Sequence, residues 1–351
     1  MSLRKRRLGF VASALALVCT ACGGAGSTTD RDATTTTASG GPATSTTTPL
    51  PPVDDAAPLR GFTLSPRSYE SEDFVEFLDL VAANADMIGW AGDAAALEQE
   101  DSPALVVHAF ADQYRLAPVV VTGVSSTETG QLLRPLDQTT FDAYVATAAA
   151  YAGEFQPRFL GYGVEVDSLY QAAPQDFDRF VDLFAAIAVA VRQVSPETEL
   201  IIGFQLERMK GLNGGLFGGV NDESAALWGL IDRFPDAGVI GFSTYPGLVF
   251  EHPDDLPDDY YRSLSDRTGG RPVVFTEMGW HAEGDYGPYS GSEEAQTRFV
   301  ERFPTLIDGL DVDFYLWAFL FDQAVAEPFS SMGLWRADGT PRVAWGVWSG
   351  E

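Results

Sequence analysis

The feature that most limits the fold of this chain is an alternation that begins after Arg60 and continues almost to the end. Eight short apolar runs, at 61–64, 86–90, 118–124, 159–166, 199–206, 239–245, 272–280 and 313–321, are separated by stretches with helical spacing. Those stretches cover 72–84, 103–114, 139–155, 174–194, 224–234, 258–268 and 292–310. Phe74, Phe77, Leu78 and Val81 recur at the three- and four-residue spacing of one buried helix face, as do Phe177, Phe180, Val181, Phe184 and Ile187. A helix between consecutive strands returns the chain to the starting edge, so the strands run parallel. Eight such units predict an α/β fold, a single (β/α)8 TIM barrel over 59–351; a doubly wound sheet is the alternative.

Alternation within the runs refines the expectation. Gly161, Gly163 and Glu165 fall on one face of the fourth run, Ile201, Gly203 and Gln205 on one face of the fifth. Gly241, Ser243 and Tyr245 share a face of the sixth, and Val273 and Phe275 precede Glu277 on a face of the seventh. Each set places small or apolar residues low in the strand and a polar or aromatic one at its C-terminal end. A filled barrel interior that opens onto a functional upper face calls for that order.

The front of the chain belongs to no fold. Arg4, Lys5, Arg6 and Arg7 precede an apolar run, 8–18, that is too short to span a bilayer. Cys19-Thr20-Ala21-Cys22 comes next, and this resembles the lipobox of bacterial lipoproteins, with Cys19 where Leu is usual. The resemblance implies a leader over 1–21, lipidation of Cys22 and a place on the outer face of the cell membrane; an ordinary cleaved signal peptide and secretion is the alternative. From 22 to 58 the chain is Thr, Ser, Gly, Ala and Pro with almost no large apolar side chain, the composition of a disordered tether.

Both cysteines of the protein lie in this leading segment, so the domain beyond it has no disulfide and no thiol nucleophile. The full chain has 22 basic residues; without Arg4, Lys5, Arg6 and Arg7, 18 remain against 50 acidic ones, a net charge of about −32. Such a surface repels nucleic acid and anionic lipid, which excludes both as partners except through a lipid anchor. Neutral polymers suit it. A monomer is expected.

Two segments carry the chemistry: Gly161-Tyr162-Gly163-Val164-Glu165-Val166-Asp167 and Val273-Val274-Phe275-Thr276-Glu277-Met278-Gly279-Trp280. Each delivers a glutamate at the end of an apolar strand, where an ionised group is costly to keep. Either glutamate alone is as consistent with a satisfied buried side chain as with a catalyst. On strands four and seven of one barrel they resemble the carboxylate pair of glycoside hydrolase clan A, the retaining (β/α)8 glycosidases. The Thr276–Trp280 run is similar to the nucleophile strand of endo-β-1,4-galactanases and plant-type endo-β-1,3-glucanases, and 240–246 to the galactanases' sixth strand. The segment 333–342 resembles the stretch after strand eight in many clan members.

The resemblance implies double displacement, with Glu277 as nucleophile and Glu165 as acid/base. It also implies that Tyr245 hydrogen-bonds Glu277, that Trp317 forms a stacking floor for a sugar, and that a cis peptide comes after Trp317. Trp317 as a plain core residue is the alternative. Gln205 and Asp167 are candidates for binding sugar hydroxyls, and Trp280 and His281 for lining a neighbouring subsite. One position departs from the clan: Val164 stands where an Asn that binds the sugar 2-hydroxyl is usual.

Other chemistries lack their motifs. His108, His252 and His281 form no HExxH pair, and there is no GxSxG elbow, no P-loop and no GxGxxG after a strand. No metal and no cofactor is expected. The sequence therefore reads as a retaining glycosidase acting on a β-linked neutral poly- or oligosaccharide. A glycan-binding barrel without catalysis is the first alternative, a solute-binding lipoprotein of a transporter the second.

Overall fold

The computed structural model of the protein describes residues 57–99 and 102–351. The leader, nearly all of the tether and the expected lipidation site at Cys22 lie outside the described residues.

Eight strands occur in chain order: β1 (Leu59–Thr63), β2 (Met87–Asp93), β3 (Ala117–Gly123), β4 (Phe159–Tyr162), β5 (Glu199–Gln205), β6 (Val239–Thr244), β7 (Val273–Met278) and β8 (Val312–Trp317). Each pairs in parallel with its sequence neighbour, and β8 pairs with β1 to close the barrel. The doubly wound alternative fails on that closure. So does a transporter's solute-binding architecture, which needs two lobes and a hinge.

The helices are α1 (Ser71–Asn84), α2 (Pro103–Tyr114), α3 (Gln138–Phe155), α4 (Val166–Ala172), α5 (Pro174–Val194), α6 (Leu206–Met209), α7 (Glu293–Leu306) and α8 (Val343–Ser349). Their starts are chemically marked. Ser102, Asp137 and Ser292 cap α2, α3 and α7 by accepting from backbone N–H groups. α5 buries Phe177, Phe180, Phe184 and Ile187 on the face that the spacing predicts.

Two expected helices do not form. The stretches 224–234 and 258–268 fold instead as short 3-10 turns, among them Trp228–Arg233 and Arg262–Asp266. Gly229 interrupts the first, and Tyr260, Tyr261, Ser263 and Ser265 are mediocre helix formers in the second. Their apolar anchors still fill the outer layer: Ile231 and Tyr261 are completely buried.

The core has two shells. Met87, Val119, Val121, Phe159, Ile201, Val239, Val274, Phe314 and Leu316 pack inside the barrel, and the larger aliphatic and aromatic layer lies between strands and helices. Two departures from regular strand geometry determine what reaches the upper rim.

The first is in β7. Val274 belongs to the inner shell, whereas Val273 and Phe275 face the helices, so the expected shared face of Val273, Phe275 and Glu277 is corrected. Strict alternation would point Glu277 outward as well. Register shifts between Phe242 and Ser243 and between Phe275 and Met278 reset the pattern and set Glu277 opposite Ser243.

The second is at the end of β4, which stops at Tyr162. Gly163 has φ 113°, and a Cβ there would lie 2.8 Å from Ile202, Phe180 and Val166 of the outer layer. Position 163 thus faces outward, not inward beside Gly161 and Glu165. Val164 turns in and packs on the inner shell.

Candidate active site

Glu165 arrives at the upper rim on a left-handed turn, with φ 45° and ψ 49°. Among the described residues only Arg115 and Gln156 share such a φ without being glycine, and both end helices, where a left-handed cap is ordinary. Glu165 instead precedes a helix. The conformation costs about 1–2 kcal/mol for a residue with a Cβ, and such strain persists where the position of the side chain matters. The Ser168 hydroxyl and N–H both donate to the Glu165 carbonyl, at 2.7 and 3.0 Å, and hold the turn.

The Glu165 carboxyl is nearly buried, as is that of Glu277, with 8% and 3% of the residue surface exposed. Ser243 of β6 donates to Glu165 Oε1 at 2.6 Å, and the Arg208 guanidinium stands 3.4 Å from Oε2. The Tyr245 hydroxyl donates to Glu277 Oε2 at 2.9 Å, while Oε1 of Glu277 is buried with no protein partner. An acceptor left open inside a built site is available to a reacting atom.

Burial pushes both carboxyls up. Glu277 rises to about 8, mainly by desolvation and then by the charge of Glu165, with the Tyr245 hydroxyl opposing. Glu165 rises to about 7 by desolvation against the pull of Arg208, with Asp167 and Glu207 adding to the rise. Two carboxyls in one desolvated space do not both ionise readily, so near neutral pH the pair holds about one proton. Tyr245 favours charge on Glu277; Arg208 and Ser243 favour it on Glu165.

The other expected residues divide. Gln205 faces the rim, but its amide is committed: Nε2 donates to Glu207 and Oε1 accepts from the Arg208 N–H at 2.7 Å. Asp167 is completely buried, accepts the Gln205 N–H at 2.8 Å and lies 3.6 Å from Arg208. Both serve the site from beneath rather than from its surface.

Trp317 is corrected. On β8 the inward residues are Phe314 and Leu316, and Trp317 points into the helix layer. It is completely buried beside Phe299 and Trp348, with its indole N–H on the Met332 carbonyl at 2.7 Å. The core reading holds, and the peptide to Ala318 is trans. Trp280 and His281 are likewise almost wholly buried. Trp280 packs on Phe299, and His281 Nε2 meets the Tyr289 carbonyl at 2.7 Å, tying down the loop after β7. Neither lines an open subsite.

Two residues of the site carry no signal in the sequence. Glu207 and Arg208 sit one turn beyond β5, inside α6, and only three-dimensional closure brings them under the rim. The upper face is covered on its β6–β8 side by Tyr245, Leu248, Phe319, Phe329 and Met332, with Leu216 and Phe217 from the glycine-rich loop after α6 packed against them. Over β2 and β4 the rim is more open, where Ala91, Asp93 and Val164 are partly exposed.

No protein-family model matches the chain, and no curated protein matches it by sequence. Solved structures do resemble it. An exo-β-1,4-mannosidase from Opitutaceae bacterium strain TAV5 aligns with TM-score 0.59 at 15% identity, over 83% of this chain and 58% of that one. A glycoside hydrolase family 5 variant from Bifidobacterium longum subsp. longum, in complex with Manβ1-4GlcNAc, gives 0.60 at 13% identity, over 84% and 77%. A psychrophilic family 10 endo-β-1,4-xylanase gives 0.57 at 12% identity, over 84% and 96%. The chain spans only 58% of the mannosidase's length. At these identities the likeness establishes the fold, and this chain shares its (β/α)8 barrel with glycosidases of several kinds.

Proposed function

We propose that the protein is a retaining glycosidase that acts on a neutral, β-linked poly- or oligosaccharide at the cell envelope. The observation that supports the reading is a buried Glu165 just beyond β4 and a buried Glu277 near the end of β7, linked through Ser243, which donates to Glu165 and lies opposite Glu277, with the Tyr245 hydroxyl on Glu277. Double displacement uses such a pair directly. In the free protein the higher value of Glu277 leaves the shared proton there more than on Glu165. Double displacement therefore requires the proton to stand on Glu165 once substrate is bound. Glu277, as the carboxylate that the Tyr245 hydroxyl favours, attacks the anomeric carbon and forms a glycosyl ester, while the proton on Glu165 passes to the leaving oxygen. Glu165 then takes a proton from the water that attacks the ester, and Glu277 leaves as carboxylate. Tyr245 donates to the oxygen of Glu277 that does not attack, and Oε1 remains open for the new bond.

Val164 favours a second reading, a barrel that binds glycan without cleaving it. Its side chain packs 3.6 Å from the space a Cβ on Gly123 would fill and offers no hydrogen bond to a sugar hydroxyl. We also propose that Cys22 is lipidated, on the Cys19–Cys22 run and the charged, apolar leader before it.

Hydrolysis of a panel of β-glucan, galactan, mannan and xylan, with proton NMR of the first product, tests the reading. Initial release of the β-anomer is expected, and Glu277→Gln and Glu165→Gln should each lower kcat by at least about 10²–10⁴-fold. Initial release of the α-anomer would refute retention. Binding of a polysaccharide without cleavage would establish the second reading, and no binding at all would remove both.

A further inference from the structure

Below the rim, between β5, β6 and the Tyr260 segment, lies a carboxylate that double displacement does not use. Glu207 is completely buried. Its Oε1 accepts from the Thr244 hydroxyl at 2.8 Å and the Tyr260 hydroxyl at 2.9 Å; its Oε2 accepts from the Tyr245 N–H at 3.1 Å and from the Gln205 amide. All four of these donors are neutral, and they converge on one desolvated group. Four accepted bonds favour the ionised form of Glu207, against the burial that raises its carboxyl above the usual range.

Two of the four donors lead to the catalytic pair. Tyr245, held by its N–H, reaches Glu277 with its hydroxyl at 2.9 Å. Gln205, held by Nε2, uses Oε1 to hold the Arg208 N–H at 2.7 Å, and the Arg208 guanidinium stands 3.4 Å from Glu165. We propose that Glu207 is a positioning residue that sets the partners of both catalytic carboxyls at once, Tyr245 for Glu277 and Arg208 for Glu165. This rests on the reading of Glu165 and Glu277 as the catalytic pair. A residue that merely stitched β5 to β6 would affect stability without acting through Tyr245.

The test is a double-mutant cycle of Glu207→Gln with Tyr245→Phe in the full-length protein, with melting temperatures beside the rates. Glutamine keeps the size but turns one donor contact into a clash of two donors. Glu207→Gln alone should lower kcat by about 10–100-fold with KM nearly unchanged, the size typical of residues that orient reacting groups. In the Tyr245→Phe background the same change should cost several-fold less than in the parent, because the path through Tyr245 is already cut and only the one through Arg208 remains. Losses that multiply in the double variant would overturn the proposal. If Glu207→Gln does not fold, Tyr260→Phe removes one donor from the same carboxylate and leaves both paths in place. It should give a smaller loss with the same non-additivity.

A crystal structure of Glu207→Gln tests the proposal independently of activity. The Tyr245 hydroxyl is expected to move out of hydrogen-bond reach of Glu277, and an unmoved hydroxyl would overturn the proposal even if the parent cleaves no glycan. A parent without activity would count against the glycosidase reading alone.

Discussion

A carboxyl that is held protonated by its surroundings makes a fold less stable as the pH rises, and Glu165 and Glu277 are two such groups. In the unfolded chain a glutamate loses its proton near pH 4.3. In the folded state Glu165 and Glu277 keep theirs to about 7 and about 8. Between those limits these two groups bind more protons in the folded state than in the unfolded one, so their contribution to stability is fully present below the unfolded value and is lost as the pH climbs through about 7 and about 8. Glu277→Gln removes one such group. Its melting temperature should exceed that of the parent at pH 8, by about 2–4 °C for each kcal/mol relieved, and the gap should close toward pH 4.5. A gap equal at both pH values would show that Glu277 titrates as an ordinary carboxyl. Glu165, Glu277 and Tyr245 are legible in the sequence because each ends an apolar run with a group that has no cheap way to be buried. Trp317 is misleading for a physical reason: on β8 an aromatic facing the helices and one facing a sugar look alike until the inward positions, Phe314 and Leu316, are known. Glu207 is invisible because its four partners come from β5, β6 and a loop some 50 residues on.

At the level of strands and turns, the barrel delivers its glutamates through irregularity. The order of strands and the five long helices are set by periodicity, and their ends agree with the sequence within a few residues. The bulges beside β7 are not, since an inserted residue leaves no mark in the apolar run 272–275 that precedes Thr276 and Glu277. The turn after β4 is marked only by Gly163, whose φ of 113° favours the absence of a side chain. Gly163→Ala tests how far Glu165 depends on it. The new methyl would press on Ile202, Phe180 and Val166 at 2.8 Å, and the strained backbone adds to that. A loss of roughly 1–3 kcal/mol in stability is expected, from overpacking and an unfavourable φ together. Activity should fall further than stability explains, as Glu165 is displaced from Ser243. A destabilised variant with unchanged kcat would show that the turn packs the barrel without aiming its carboxyl.

For the whole molecule, stability rests on two concentric apolar shells, with no cysteine after Cys22 to reinforce them. The proposed attachment at Cys22 has its own test. Cys22→Ala should transfer the protein from the membrane fraction to the medium, and equal release of the unmutated protein would leave only a cleaved leader. Where the chain joins the barrel gives that attachment a direction. β1 begins at Leu59 on the pole opposite the glutamates, and Arg60 reaches across to the carbonyl of Trp348 at 2.9 Å. The first strand and the last helix therefore meet at the same end, and the strands carry every reacting group to the other. A barrel held by its first strand is held by its base. With the proposed anchor at Cys22, the tether joins the domain at the pole opposite the one that carries Glu165 and Glu277.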